Sequence, residues 1–235
     1  MLQRLKRGLY RHRWLLMRRT VQISILLAFI VHIPGYGKIA DGNLSSSLWF
    51  GELKLTDPFI LLQSFLAGSS IALPALIGAV LVGGFYAFLA GRLYCSWVCP
   101  INLLTDLAYW LRKKLNIKGN MSLSRSLRLW ILALALALSL FGGTLAWEMV
   151  NPITRFQREL IWFSFSGAML LGALFLFDLF VSRRAWCGHL CPVGAFYGLI
   201  GRYGRLKVTA TPSESCDASG CSRCMTVCPE PHVLA

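Results

Sequence analysis

A cysteine phrase that occurs twice constrains the fold of this 235-residue chain more than any other feature. It reads RLYCSWVCPIN over residues 92–102 and RAWCGHLCPVG over 184–194, 92 positions later. Each copy is a C-x-x-x-C-P motif, whose two thiols share one helix face and whose proline favours the start of a new helix. A second landmark, Asp or Asn, Pro, four residues and Gln, occurs at 57–63 and again 94 positions later at 151–157. The two landmarks together predict an internal duplication.

Apolar stretches separate these landmarks. The chain is 56% hydrophobic and 14% charged, with a mean hydropathy of +0.58, which is typical of integral membrane proteins. Stretches at about 20–35, 71–90, 129–147 and 160–181 are predicted as transmembrane helices. The expected fold is therefore all-α integral membrane, with four transmembrane helices arranged as two tandem two-helix repeats. Both repeats cross in the same direction, so an axis along the membrane normal should relate them.

Positive charge indicates how such a chain would be oriented. Of the 24 Lys and Arg residues, 20 lie in the segments 1–19, 91–128 and 182–235. This asymmetry predicts a multi-pass protein with both termini in the cytoplasm. The net charge of +14 lies beside apolar runs rather than among exposed aromatic residues, which argues against a nucleic-acid partner.

The predicted organisation has four parts. Residues 1–19 form a basic interfacial segment, 20–111 the first repeat, 112–205 the second repeat and 206–235 a small cysteine-rich, ferredoxin-like cytoplasmic tail. Each repeat contains two transmembrane helices and one C-x-x-x-C-P motif.

All eight cysteines lie in three groups, two of which are the duplicated motifs. A two-fold relation between the repeats would bring Cys95, Cys99, Cys187 and Cys191 to one depth, and four thiolates select an iron-sulfur cluster or zinc. We hypothesise one cluster held by these four residues. A redox-active dithiol and transient metal handling remain alternatives.

The remaining cysteines form a metal-binding pattern in the tail. The sequence CDASGCSRCMTVCPEP has the spacing C-x4-C-x2-C-x3-C-P, which matches the end of the bacterial ferredoxin run, although its first interval is wider by two. We predict a 4Fe-4S cluster held by Cys216, Cys221, Cys224 and Cys228. Zinc is the alternative.

These motifs and the phrase VCPEPHVL resemble the NapH family, within a wider group of MauN-like, NosR-like and CcoG-like proteins. The family is the ferredoxin-type membrane component of a quinol dehydrogenase. The resemblance implies that quinol is oxidised and that electrons pass through 4Fe-4S centres bound by all eight cysteines. It also implies a periplasmic ferredoxin-type partner similar to NapG, a multihaem cytochrome, a role in nitrate respiration and a place in the bacterial inner membrane. Such proteins carry a second run after CPEP, so we expect a truncated tail or a shortened relative.

Polar residues near the membrane edges are candidates for a quinol site, which needs hydrogen-bond partners and a proton route. The candidates in the duplicated outer loops are Gln63, Gln157, Glu148 and Glu159, with Asp57 and His32 nearby. Those on the other side are Asp106, Asp178 and His189, and Asp178 is expected to pair with Arg92 or Arg184.

The function that these observations favour is that of an electron-transfer subunit between quinol and partner redox proteins, and hence of a component of a quinol oxidoreductase. A CcoG-like metal-handling or maturation reductase is one alternative. A zinc-binding membrane anchor without redox activity is the other.

Overall fold

The computed structural model of the chain is mainly helical and contains two small antiparallel sheets. It describes residues 2–33, 37–117, 123–124, 126–162, 167–182 and 184–205. The α-helices in these ranges are α1 (Leu2–Ile30), α2 (Pro58–Leu66), α3 (Leu73–Phe88), α4 (Ile101–Lys114), α5 (Leu127–Gly142), α6 (Ala146–Val150), α7 (Pro152–Trp162), α8 (Ala168–Phe180) and α9 (Pro192–Ile200). The strands are β1 (His32–Ile33), β2 (Gly37–Lys38), β3 (Ala40–Gly42), β4 (Ser46–Trp49) and β5 (Leu53–Thr56). Two π-helical turns, Tyr94–Val98 and Trp186–Leu190, and a 3-10 turn, Gly201–Tyr203, complete the described elements.

The predicted architecture of four membrane-spanning helices is wrong. Within the described ranges, no helix has both the length and the apolarity that a membrane crossing requires. Helices α3 and α5 have 16 residues each and α8 has 13, so even the longer two extend only about 24 Å, against a hydrocarbon core of about 30 Å. Local geometry shortens them: α5, for example, ends at Gly143, which has a left-handed φ of 61°. Helix α1 is longer, but its 29 residues include seven Lys and Arg.

The expected all-α class is also wrong, because residues 40–56 form a three-stranded antiparallel sheet in the order β3-β4-β5. Its register pairs Ala40 with Trp49 and Ser46 with Thr56. The first turn is closed by Asn43, whose Oδ1 accepts hydrogen bonds from the N–H groups of the two residues at 45 and 46, at 3.0 and 2.8 Å. Apolar periodicity alone does not reveal strands this short.

The order of elements repeats along the chain, as the duplication predicts. In each unit, a proline-started helix (α2 or α7) precedes an apolar helix (α3 or α8), a π-helical turn and a further helix (α4 or α9). The caps match: Asp57 accepts from the N–H of Phe59 at 3.0 Å, and Asn151 accepts from that of Ile153 at 3.0 Å.

The two units share an extensive interface, in which helices of one unit contact helices of the other. Helix α4 of the first unit packs on α8 of the second, and α9 of the second packs on α3 of the first. At the second contact two glycine backbones touch: a Cβ on Gly91 would lie 1.7 Å from the carbonyl oxygen of Tyr197, and one on Gly201 would lie 2.0 Å from the nitrogen of Gly91. Only glycine allows this approach, which places each cysteine motif beside the other unit.

The hydrophobic core lies between the two units and includes the second cysteine of each motif. Its larger buried members are Phe59, Tyr94, Cys99, Ile101, Leu132, Trp147, Ile153, Leu174, Cys191, Val193 and Tyr197.

Candidate functional site

Each cysteine motif folds as one π-helical turn followed by a helix that starts at or next to the proline. In the first motif the N–H of Cys99 donates to the carbonyl of Tyr94 at 3.0 Å, and in the second Cys191 donates to Trp186 at 2.9 Å. Both second cysteines have extended backbone geometry, with ψ values of 119° and 114°, as expected for a residue before proline. Single π-helical turns are frequent at functional sites.

The backbone after each motif points donors at the second thiol. The N–H groups of Ile101 and Asn102 bond to the sulfur of Cys99, and those of Val193 and Gly194 bond to the sulfur of Cys191. Cys99 and Cys191 therefore lie at the N-termini of α4 and α9, where partial positive charge stabilises a thiolate. Hydrogen bonds to sulfur are also one of the means by which proteins tune iron-sulfur centres.

The two motifs meet at Gly194. A Cβ on this residue would lie 3.7 Å from Sγ of Cys95 and 3.6 Å from the carbonyl oxygen of Cys187. None of the four motif cysteines forms a disulfide; Cys99 and Cys191 are buried, and Cys95 and Cys187 are half-buried. The structure thus brings together the two pairs that the sequence singled out, and their role as ligands remains a prediction.

The donor atoms of these thiols are compatible with two kinds of metal site. Among the residues that the structure describes, no three His, Cys, Asp or Glu side chains form a group that could hold one metal ion. Four sulfur donors form the usual ligand set of a 4Fe-4S cluster and also that of a structural zinc site. The residues present therefore fit a 4Fe-4S cluster, and zinc remains the alternative.

Burial favours the protonated form of all four motif thiols. It raises the pKa of Cys99 to about 12 and that of Cys191 to about 11, although the backbone N–H groups oppose the shift. Burial and the neighbouring thiols also raise the pKa values of Cys95 and Cys187. Binding of a metal would replace these protons.

Comparison with known proteins agrees with this geometry. Residues 71–118 and 163–210 match the model of a family described as a 4Fe-4S binding domain. Each match contains one C-x-x-x-C-P motif, and the matches begin 92 positions apart, which is the offset of the cysteine phrases.

Similar proteins carry names from two groups. The methylamine utilization ferredoxin-type protein MauN of Methylobacillus flagellatus is 63% identical over 98% of this chain and 81% of its own length. MauN of Paracoccus denitrificans is 50% identical over 95% of this chain and 78% of its own length. The ferredoxin-type protein NapH of Escherichia coli K12 is 46% identical over 97% of this chain and 79% of its own length.

The chain belongs to the NapH/MauN family of ferredoxin-type proteins. This confirms the resemblance seen in the sequence, and the two matched stretches indicate 4Fe-4S binding. No solved structure matches the chain.

A residue of α1 that the sequence did not single out supports the first motif of this NapH/MauN family member. Gln22 is fully buried, and its Nε2 donates to the carbonyl of Cys99 at 3.2 Å and to that of Ser96 at 3.4 Å. Its Oε1 accepts from Arg19 at 2.8 Å. The sequence signal that could have identified Gln22 is its position as the one amide in the apolar run VQISILLAFI, since a buried amide needs hydrogen-bond partners.

Asp178 supports the second motif. It is buried, and its Oδ1 accepts from the N–H of Trp186 at 3.0 Å, at the start of the π-helical turn. Burial raises its pKa to about 6. The expected partner Arg184 pairs with Asp106, and its charge also opposes the raised pKa of Asp178. Arg112 donates to the backbone carbonyls at 178 and 179. His189 lies inside this turn, where its Nδ1 has no hydrogen-bond partner among the described residues.

Asp106 joins the three basic segments. It pairs with Arg18 at 2.6 Å, with Arg184 at 2.5 Å and with Arg19. The side chains are only 14–24% exposed. This cluster ties α1 and the second cysteine motif to α4.

The two predicted quinol-site glutamines make reciprocal contacts between the units. Gln63 Oε1 accepts from the N–H of Trp147 at 3.2 Å and from Ser139 Oγ at 3.2 Å. Gln157 Oε1 accepts from the N–H of Leu44 at 2.8 Å. Each glutamine therefore accepts a backbone hydrogen bond from the other unit.

The two predicted glutamates also contact loops. Glu148 Oε2 accepts from Ser45 Oγ at 3.2 Å and from Asn151 Nδ2 at 2.9 Å, and Glu159 Oε1 accepts from the N–H of Gly167 at 2.5 Å. The tail cysteines Cys216, Cys221, Cys224 and Cys228, and the side chain of His32, lie outside the described part of the chain.

Proposed function

We propose that this chain is an electron-transfer protein in which Cys95, Cys99, Cys187 and Cys191 bind one 4Fe-4S cluster. The observation that carries the proposal is the meeting of the two cysteine pairs at Gly194, within the two stretches that match a 4Fe-4S binding domain. When bound, the cluster supplies one-electron redox chemistry.

The chain's own residues give such a cluster a defined setting. Backbone N–H groups at the starts of α4 and α9 point at two of the sulfurs and favour the thiolate form. The surrounding core excludes water, and exclusion of water is one of the factors that set reduction potential. Gln22 and Asp178 hold the backbone of the two motifs from outside.

A second cluster in the tail is the next part of the proposal. It rests on the spacing of Cys216, Cys221, Cys224 and Cys228 alone. With two clusters the chain would carry electrons between a donor and a partner redox protein.

Quinol is the electron donor that we propose, with a ferredoxin-type subunit and a multihaem cytochrome as acceptors. The support is the family membership together with the apolar cavity described below. The MauN relatives, at 47–63% identity, are more similar to this chain than the NapH relatives at 42–46%. Methylamine utilization is therefore the favoured metabolic setting, and nitrate respiration is the alternative. Deletion in the host should impair growth on methylamine; a defect confined to nitrate respiration would favour the alternative.

Iron analysis tests the cluster assignment. The full chain, purified without oxygen, should contain iron and sulfide, and dithionite should bleach its visible absorption. A variant with the four motif cysteines changed to serine should lose one cluster and keep the other. The matched control, with the four tail cysteines changed, should lose the other cluster instead.

The outcomes separate the proposed functions. Iron content unchanged in the motif variant would contradict the proposed ligands. Zinc without bleaching would support a non-redox anchor. Rapid reoxidation of the reduced centres by a short-chain quinone would support quinol as donor, whereas reduced centres inert to quinone would contradict it.

A further inference from the structure

A cavity of about 360 Å³ lies between α1, the three-stranded sheet and α3. Its walls are mainly apolar and include the aromatic rings of Trp49, Phe85, Tyr86 and Tyr94. An apolar cavity of about 150 Å³ already holds benzene, so this one has room for a substituted aromatic ring. Its volume falls in the range of ligand pockets.

Polar groups meet at one end of the cavity. Asp57 is 7% exposed, and its Oδ1 accepts from the hydroxyl of Tyr197 at 3.1 Å. Thr56, which also lines the cavity, is 6% exposed, and its Oγ1 has no hydrogen-bond partner among the described residues. A buried hydroxyl without a partner is costly, and a ligand oxygen in the cavity would satisfy it.

The same wall belongs to the first cysteine motif. Tyr94 precedes Cys95 and stacks on Tyr197, with ring centroids 4.8 Å apart and planes at 17°. Val98, which precedes Cys99, also lines the cavity. A molecule in the cavity would therefore contact the residues that directly precede Cys95 and Cys99, two of the cysteines proposed to bind the cluster.

The second unit shows that these groups are not a by-product of the repeated fold. At the positions that correspond to Thr56, Asp57 and Tyr197, the duplication has Val150, Asn151 and Thr105. The helix cap survives in the second unit, since Asn151 caps α7. The carboxylic acid of Asp57 and the phenol of Tyr197 have no counterpart at these positions in the second unit, so the polar end is specific to the first unit.

We propose that this cavity binds the ring of a quinol, with its hydroxyl groups at Asp57 and Thr56. This inference rests on the proposed electron-transfer function and assigns a site to its donor. The aromatic walls suit a flat ring, and the mouth includes Leu81 and Phe85, both more than half exposed, which suit an apolar tail. None of the described lining residues is Lys, Arg or His, which disfavours an anionic ligand.

Binding of a short-chain hydroquinone to the full, cluster-loaded chain tests the site. The protein is kept reduced with dithionite, so that no electrons move, and binding is measured by calorimetry. Thr56→Val removes a hydrogen-bond partner of the ring, and Asp57→Asn replaces a carboxylate acceptor by a weaker neutral one, so each should weaken binding roughly tenfold. Val82→Phe should block binding, because it fills the cavity.

Thr154→Val is the matched control, because Thr154 is a buried threonine outside the cavity lining. It should bind like wild type, and all variants should retain their iron. Wild-type affinity in folded Asp57→Asn, Thr56→Val and Val82→Phe would overturn the site. Binding of tetramethylammonium in place of hydroquinone would overturn the ligand class.

The two proposals can fail separately. Centres that react with quinone while the cavity variants bind hydroquinone normally would leave the electron-transfer proposal standing and reject this site. If the purified chain contained no iron but still bound hydroquinone, and the cavity variants weakened that binding, the site would stand and the electron-transfer proposal would be rejected.

Discussion

The hydroxyl of Tyr197 donates a hydrogen bond of 3.1 Å to Oδ1 of Asp57, across 140 residues of sequence. Asp57 caps α2 in the first unit, and Tyr197 lies on α9 in the second. The carboxyl group of Asp57 thus caps α2 and also connects the two halves of the protein through its hydrogen bond with Tyr197. Four predictions follow from this packing and from the clusters around it.

Stability should depend on pH through Asp57. Burial raises its pKa from 3.8 to about 6, although the N–H of Phe59 and the hydroxyl of Tyr197 oppose the shift and Glu148 adds to it. The folded state therefore keeps a proton that the unfolded state releases, so stability falls as pH rises from about 4 to about 6. Between pH 5 and pH 7 the wild type should lose roughly 1 kcal/mol relative to Asp57→Asn.

Chemical unfolding of both proteins at several pH values measures this difference. Asp178 also has a pKa raised to about 6, but it is present in both proteins and its effect cancels. Parallel pH profiles would show that Asp57 does not titrate in this range.

The glycine contact between the units should tolerate no side chain. Gly91→Ala places a methyl group 1.7 Å from the backbone oxygen of Tyr197, so α3 and α9 must separate, at a cost of about 3 kcal/mol or more. Gly84→Ala, in α3 with no atom within 4 Å of its Cβ, is the control and should stabilise the protein by about 0.5–1 kcal/mol. Thermal unfolding compares the two variants, and similar melting temperatures would contradict the contact.

The Asp106 cluster should contribute more than an exposed ion pair. Asp106→Asn leaves Arg18, Arg19 and Arg184 close together without their carboxylate, so we expect a loss of about 2–4 kcal/mol, reduced by added salt. Asp41→Asn removes an exposed pair with Lys38 at 3.6 Å and should cost less than about 1 kcal/mol. If urea unfolding showed equal losses of unfolding free energy for Asp106→Asn and Asp41→Asn, the Asp106 cluster would contribute no more than an exposed ion pair.

Gln22 should affect how long the cluster persists. Gln22→Leu removes the amide that donates to the carbonyls of Cys99 and Ser96, and loss of such outer contacts typically weakens metal binding by about 10–100-fold. The variant should therefore release iron to a chelator several times faster than wild type. Thr20→Val, an exposed change on the same helix, is the control; identical release rates for Gln22→Leu and Thr20→Val would rule out this role.

The matching geometry of the two cysteine motifs could be predicted from the sequence because it is local. Proline after the second cysteine ends one helical turn and starts another helix, so the C-x-x-x-C-P spacing leads to the same π-helical turn at Tyr94–Val98 and at Trp186–Leu190. The duplication and the family resemblance also rest on short motifs. The predicted membrane spans failed because mean apolarity over a window does not reveal where a helix ends, as it does at Gly143.

The sequence by itself determined the repeat and the family, since each depends on residues close together in the chain. Only the tertiary structure decided that the two cysteine pairs meet at Gly194, that residues 40–56 form a sheet and that Asp57, Thr56 and Tyr197 share a cavity. These relations join residues far apart in the chain, and they depend on which surfaces pack together. The close approach of Gly91 to Gly201 is part of that packing, and no local sequence pattern predicts it.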